Sequence, residues 1–170
     1  MKTEKYEVIR NCYENGQIWM EEYFFDGKLH NPHGPACRYW YDNGQLAWEQ
    51  FWNKNHNVNG PARRYWDING QLVKEEYYID GKLHNTNGPA VKEYNEKGFL
   101  TIEVYYDNGE LHNTKGPACI YYCNNGDLST KQYWINNKLL TKEEFDNRNS
   151  IKGKVVEIEG KRYKLTPVSS

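Results

Sequence analysis

Residues 60–84 read GPARRYWDINGQLVKEEYYIDGKLH, and the pattern of this stretch repeats along most of the chain. Gly-Pro-Ala stands at Gly34-Pro35-Ala36, Gly60-Pro61-Ala62, Gly88-Pro89-Ala90 and Gly116-Pro117-Ala118, with spacings of 26, 28 and 28 residues. Ten residues after each of these glycines comes another, at Gly44, Gly70, Gly98 and Gly126, and Gly16 begins the series one unit earlier. Two residues further on stands Ile18, Leu46, Leu72, Leu100 or Leu128, followed by an aromatic pair: Tyr23-Phe24, Phe51-Trp52, Tyr77-Tyr78, Tyr105-Tyr106 or Tyr133-Trp134. A second turn with a histidine closes four units, at His30, His56, His84 and His112, and Leu140 takes that place in the fifth. A fixed period of this length is the mark of a repeat array, in which each unit buries its faces against its neighbours.

Each unit reads as strands joined by tight turns. Asn43-Gly44, Asn69-Gly70 and Asn125-Gly126 lie between aromatic-rich segments and are expected to form two-residue type I′ turns, with Asp26-Gly27 and Asp80-Gly81 forming a second set. The prolines fall where a strand begins, so their missing N–H is tolerated. A two-residue loop at Asn43-Gly44 sets Arg38 opposite Glu49. The same count pairs Arg10 with Glu21, Arg64 with Glu75 and Lys92 with Glu103; only Ile120 with Lys131 departs. Opposite charges facing across strands contribute about 0.2–1 kcal/mol each, and a wrong register would not produce them four times. As isolated pairs they predict that exchanging Arg38 and Glu49 roughly preserves stability. The same register sets Ala36, Ala62, Ala90 and Ala118 opposite the rings of Phe51, Tyr77, Tyr105 and Tyr133. Alternation then gives one regular face, with alanine, charge pair, Trp40, Trp66 and the histidines, and one irregular face that carries Tyr41 and Trp48. The regular face is expected to pack and the irregular one to adapt to a partner, with the reverse assignment open. The fold class is all-β: about five hairpin units over residues 1–140 in an elongated, twisted antiparallel meander.

Composition agrees with a globular chain of unusual make-up. Leu, Ile, Val and Phe number 32 of 170 residues, but 15 Tyr and 6 Trp supply the missing apolar surface. The net charge is −1, so a phosphate-neutralising nucleic-acid binder is not expected. No apolar run reaches the 18 residues of a membrane helix. Cys12, Cys37, Cys119 and Cys123 match no zinc spacing, and with a polar N-terminal stretch they point to a reducing, cytoplasmic setting. Residues 141–170 leave the pattern. Thr141-Lys142-Glu143-Glu144 has the form of a capping box that starts a short helix, and residues 154–165 alternate about Glu159-Gly160 as a hairpin. Together they read as a cap over the array.

On Tyr41 to Gln50, Gln71 to His84 and Glu110 to Ala118, the units resemble MORN-type repeats, in the bacterial and viral variant with Gly-Lys-Leu-His and Gly-Pro-Ala signatures (YwqK-like). The resemblance covers roughly residues 6–140, although the period is longer than the usual MORN unit. It implies hairpins in one elongated sheet and a scaffold that contacts proteins or lipids, and it implies no particular activity. Some bacterial proteins with similar repeats carry an antitoxin label.

Candidate sites follow from residue type. Neighbouring units advance by about 9.6 Å, two strand spacings, which is too far for the histidines to share a zinc ion. Each histidine is expected to pack on a tyrosine and bond turn backbone, with a row of ligand contacts as the other reading. No G-x-S-x-G, phosphate loop or H-E-x-x-H is present, so no catalytic residue, metal or cofactor is assigned. Exposed Trp and Tyr on a thin sheet mark contact surface. Tyr41 and Trp48 are the preferred contacts, with Trp40, Trp66, His30, His56, His84 and His112 behind them. The expected function is a non-enzymatic scaffold that binds another protein. The alternatives are a carbohydrate or nucleotide binder, and an inhibitor of a toxin or host-defence protein.

Overall fold

A computed structural model describes residues 5–51, 60–151 and 154–165; Trp52 and His56 lie outside them. In chain order the first half holds β1 (Tyr6–Cys12), β2 (Ile18–Phe25), β3 (Lys28–Leu29), β4 (Cys37–Trp40), β5 (Leu46–Gln50), β6 (Arg63–Trp66), β7 (Leu72–Glu76), β8 (Tyr78–Ile79) and β9 (Lys82–Leu83). The second half holds β10 (Val91–Tyr94), β11 (Leu100–Val104), β12 (Tyr106–Asp107), β13 (Glu110–Leu111), β14 (Cys119–Tyr122), β15 (Leu128–Ile135), β16 (Lys138–Leu140), α1 (Lys142–Ile151), β17 (Val155–Ile158) and β18 (Lys161–Lys164). One long antiparallel meander orders β1-β2-β4-β5-β6-β7-β10-β11-β14-β15-β16, with β3 on β2. No described helix is long and apolar enough to cross a membrane.

The charge register of the hairpins is the one read from the sequence, but its turns are not. Arg10 pairs with Glu21, Arg38 with Glu49, Arg64 with Glu75 and Lys92 with Glu103. At the first turn, however, Tyr41 N–H donates to Gln45 O at 2.9 Å and Gly44 N–H to Tyr41 O at 3.0 Å. Only Gly44 has positive φ, at 83°. This is a three-residue loop closed by glycine, where a type I′ turn would need positive φ at Asn43 as well. The ladder then slips by one between Tyr39 and Trp40, which pair with Trp48 and Leu46. The extra loop residue and the bulge cancel, so Arg38 still meets Glu49. The same slip occurs in the other four hairpins of the row. The type I′ turn belongs to the second set: Asp26 and Gly27 have φ of 45° and 74°, and Asp80 and Gly81 of 48° and 77°.

At Tyr23, Tyr77 and Tyr105 the chain turns a corner into a minor hairpin. Each corner N–H donates to the alanine carbonyl of the next unit (Ala36, Ala90 or Ala118) at 2.7–2.8 Å. Each corner carbonyl accepts from the histidine N–H of its own unit, at 2.9–3.1 Å. The alanines thus bond both ways: their carbonyls accept from the ring residue of the preceding unit, and their N–H groups donate within their own hairpin to the residue before its ring (Gln50, Glu76, Val104 or Gln132). Three of the four are fully buried and Ala62 nearly so, which leaves no room for a larger side chain at the junction. The link from histidine back to the sheet is tied by an asparagine. Asn31, Asn85 and Asn113 each donate from Nδ2 to the carbonyl of Pro35, Pro89 or Pro117 at 2.9–3.0 Å.

Burial is shared between the two faces. Ala36, Glu21 and Glu49 are buried on one; Met20, Cys37, Gln50, Glu76, Val91 and Cys119 on the other. Neither face is the packed one.

After β16 the capping box forms as expected: Thr141 Oγ1 accepts from Glu144 N–H at 3.1 Å, and Glu144 Oε2 from Thr141 N–H at 2.7 Å. α1 sets the buried Phe145 ring 4.8 Å from that of Tyr133. Thr141→Ala is expected to cost about 1 kcal/mol, read as a fall in the urea midpoint at unchanged slope. No change would remove the box as the helix's start signal. β17 and β18 form a separate hairpin about Glu159-Gly160, with Val156 alone of its strand residues partly covered.

Candidate binding faces

Two columns of side chains run across the sheet, one on each face. On the first, the pairs within hairpins continue between hairpins: Glu21 also faces Arg38, Glu49 faces Arg64, and Glu75 faces Lys92. From Arg10 to Glu103 the sign therefore alternates on eight successive strands. Arg38 reaches Glu21 at 3.6 Å and Glu49 at 3.7 Å. Arg64 reaches Glu49 at 3.1 Å and Glu75 at 3.7 Å. Burial alone would push the Glu21 carboxyl up, but hydrogen bonds from Arg10 and Tyr23 overcome it and hold the group below its ordinary value. Tyrosine hydroxyls complete the row, Tyr94 donating to Glu75 at 3.1 Å and Tyr122 to Glu103 at 2.6 Å.

The opposite column begins with rings. Tyr39 stacks on Trp48 at 4.5 Å and 8°, Trp48 lies 6.4 Å from Tyr65, and Trp19 lies 5.9 Å from Tyr39. All four are half-buried. Trp48 is thus in the middle of an aromatic run, on the face where the sequence placed it. Tyr39 was legible as its cross-strand neighbour in the hairpin register; Tyr65, across the junction to the next unit, was not. Nor was Trp19, because simple alternation sends it to the other face and only the bulge that leaves it unpaired between Ile18 and Met20 re-aims it.

Beside the rings the column turns polar. The buried Glu76 carboxylate meets Lys74 at 3.0 Å and Arg63 at 3.8 Å, and accepts from Tyr65 and Tyr78 at 3.3 and 3.2 Å. Burial would lower the Lys74 ammonium, but Glu76 and Glu93 outweigh it and hold it above its usual value. Burial, then the Glu76 charge, raises the Tyr65 and Tyr78 phenols.

The other predicted residues have structural partners. Tyr41 donates its hydroxyl to Trp66 O at 2.9 Å, as Tyr13 does to Trp40 O at 2.8 Å. Tyr41 is therefore a clamp between units; Trp40 and Trp66 are half-buried. The histidines join minor hairpins. His84 Nδ1 lies 3.1 Å from Asn108 N and 3.0 Å from Asp107 Oδ1; His112 Nδ1 lies 3.3 Å from Asn136 N. Each thus bonds the turn of the following unit. His30 lies 5.9 Å from the Phe25 ring. Between the third and fourth units an open groove of 810 Å³ is lined by His84, Asn85, Thr86, Tyr105, Tyr106, Asp107, His112 and Lys115, among others. Among the described residues no three His, Cys, Asp or Glu side chains stand close enough to hold a metal ion.

Compared with family models, with curated proteins and with solved structures, the chain matches none.

Proposed function

We propose that the chain is a non-enzymatic repeat scaffold of MORN-like type that binds another protein through its aromatic face. The observation that carries the reading is the run Trp19–Tyr39–Trp48–Tyr65, half-exposed and edged by Arg63, Lys74 and Glu76. Rings with a charged rim are the composition of interface centres, where Trp, Tyr and Arg supply most of the binding energy. The rings also hold each other in place, so little side-chain freedom is lost on binding.

The test is capture of partners with the wild type and with Trp48→Ala, followed by titration of the captured protein against both. Removing an anchoring tryptophan is expected to weaken the complex by about thirtyfold or more, the 2 kcal/mol of a hot spot. Equal binding by a folded Trp48→Ala protein would overturn the assignment of this face. The 810 Å³ groove favours a second reading, a small polar ligand such as a carbohydrate or nucleotide held by His84, Asn85 and Tyr105. Calorimetric heat that Trp48→Ala leaves intact and His84→Ala abolishes would favour it. An inhibitor of a toxin or host-defence protein is a special case of the first reading.

A further inference from the structure

The charge column stops at β1 with its last arginine half-served. Inside the sheet each arginine of the column sits between two glutamates, as Arg38 and Arg64 do. Among the described residues Arg10 reaches one, Glu21 at 2.6 Å, and nothing pairs with the outer edge of β1. All seven residues of that strand are exposed. Asp26 N–H donates to Lys5 O, so by antiparallel alternation the odd residues turn their backbone groups toward β2. The N–H and C=O groups of Tyr6, Val8 and Arg10 therefore point outward, a row of donors and acceptors ready for another strand.

We propose that the β1 edge is a second binding site, which takes an extended segment of a partner protein as an added antiparallel strand with an acidic residue opposite Arg10. The interior of the sheet supplies the template. Against β10, the strand in the corresponding outer position is β7, with Glu75 facing Lys92, Glu76 facing Val91 and Lys74 facing Glu93. Backbone bonds give such an addition its affinity, and the side chain at the column position gives it selectivity. A second copy offers Arg10 no acidic partner among the described residues. Stacked head to tail, the far end of the column would bring Lys131, which holds the glutamate position of the fifth unit, against Arg10. Paired β1 to β1 about a two-fold axis normal to the sheet, residues keep their faces. Arg10 then meets Tyr6, Val8, Cys12 or itself among the described residues, while Glu7 lies on the other face. This site is separate from the aromatic run and stands or falls independently of it.

The test uses the full chain and a fluorescent peptide copying residues 71–79, QLVKEEYYI. Saturable binding is expected, with slowed hydrogen exchange at the amides of Tyr6, Val8 and Arg10. Arg10→Glu is expected to weaken it at least about tenfold, or 1.4 kcal/mol. A peptide with Lys in place of the residue copying Glu75 should recover the loss. Arg10→Gln, which only removes the charge, serves if the reversal fails to fold, and is expected to weaken the native peptide and gain nothing from the lysine one. The proposal is overturned by absence of saturable binding, by indifference to the charge at position 10, by protection centred on Trp48 instead of β1, or by self-association of the peptide-free protein through these same amides.

Discussion

Raising the pH from 10 to 12 is expected to unfold the protein, and tyrosine is the cause. Ten phenols are held above their ordinary value of 10: those of Tyr23, Tyr39, Tyr65, Tyr77, Tyr78, Tyr94, Tyr105, Tyr106, Tyr121 and Tyr122. Tyr39, Tyr94 and Tyr122 are pushed up to about 12. For Tyr39 and Tyr94 the first cause is burial, followed by the hydrogen bond to Glu22 for the one and the charge of Glu75 for the other; for Tyr122 it is the hydrogen bond to Glu103. A raised folded value means that the unfolded chain gives up these protons first. The stabilisation is complete below pH 10 and falls as pH climbs toward 12. Each such proton steepens the fall by about 1.4 kcal/mol per pH unit. Between pH 10 and 12 three such groups come to about 6 kcal/mol before solvent screening of these half-buried rings reduces it, a large share of what many domains possess in total. Circular dichroism and tyrosinate absorbance should therefore change together in one cooperative step. Tyr122→Phe should be less stable than wild type by about 1.5–3 kcal/mol at pH 7, the worth of a hydrogen bond to a charged group. That gap should close as pH approaches 12. Phenols that titrate near 10 in a protein whose sheet remains intact would refute this account.

The same tyrosines show what was legible in the sequence. Their period, and the opposed charges two residues away, were enough to give hairpins, register and all-β class. The capping box at Thr141 could be read because its two partners lie three residues apart. What escaped depended on contacts between units. That Glu21 faces Arg38 follows from the path of residues 26–36, and Asn31 bracing Pro35 sets that path. The asparagine after each histidine was visible in the repeat, but nothing in its spacing says that it spans a loop. The turn at Asn43-Gly44 was misread because a dipeptide does not distinguish a two-residue loop from a three-residue one. The register survived because the bulge at Ala47 restores the lost residue. The equivalent bulge of the first hairpin hid Trp19, since a period of two assigns a bulged residue to the wrong face. Trp48 could be found, and the stack around it only in part. Tyr41 was legible as a surface aromatic, but its use as a clamp depends on the neighbouring unit's Trp66 carbonyl.

Continuity of the charge column changes what a mutation should do. Arg64→Glu removes two ion pairs and sets a third carboxylate between Glu49 and Glu75. Glu49 is only 8 % exposed, so the repulsion is poorly screened. The expected loss is about 3–5 kcal/mol, the cost of stranding a buried charge, against less than 1 kcal/mol for an isolated surface pair. Exchanging Arg38 and Glu49, harmless if pairs were independent, is now expected to fail. Glu at position 38 would face Glu21, and Arg at position 49 would face Arg64, so one good pair is kept and two bad ones are made. Only reversal of all eight residues from Arg10 to Glu103 keeps the alternation everywhere and ends against the neutral Ile120. Urea unfolding of the three variants separates the possibilities. Independent pairs predict that the double exchange equals wild type. A continuous column predicts that the double exchange is at least as damaging as Arg64→Glu, and that the eightfold reversal, despite six more substitutions and the loss of the carboxylate acceptors of Tyr23, Tyr94 and Tyr122, recovers part of the loss, the phenol oxygens now accepting from the basic side chains. Additive behaviour across these proteins would show that the column is merely eight neighbours in line; recovery by the largest change would show that its charges act as one unit.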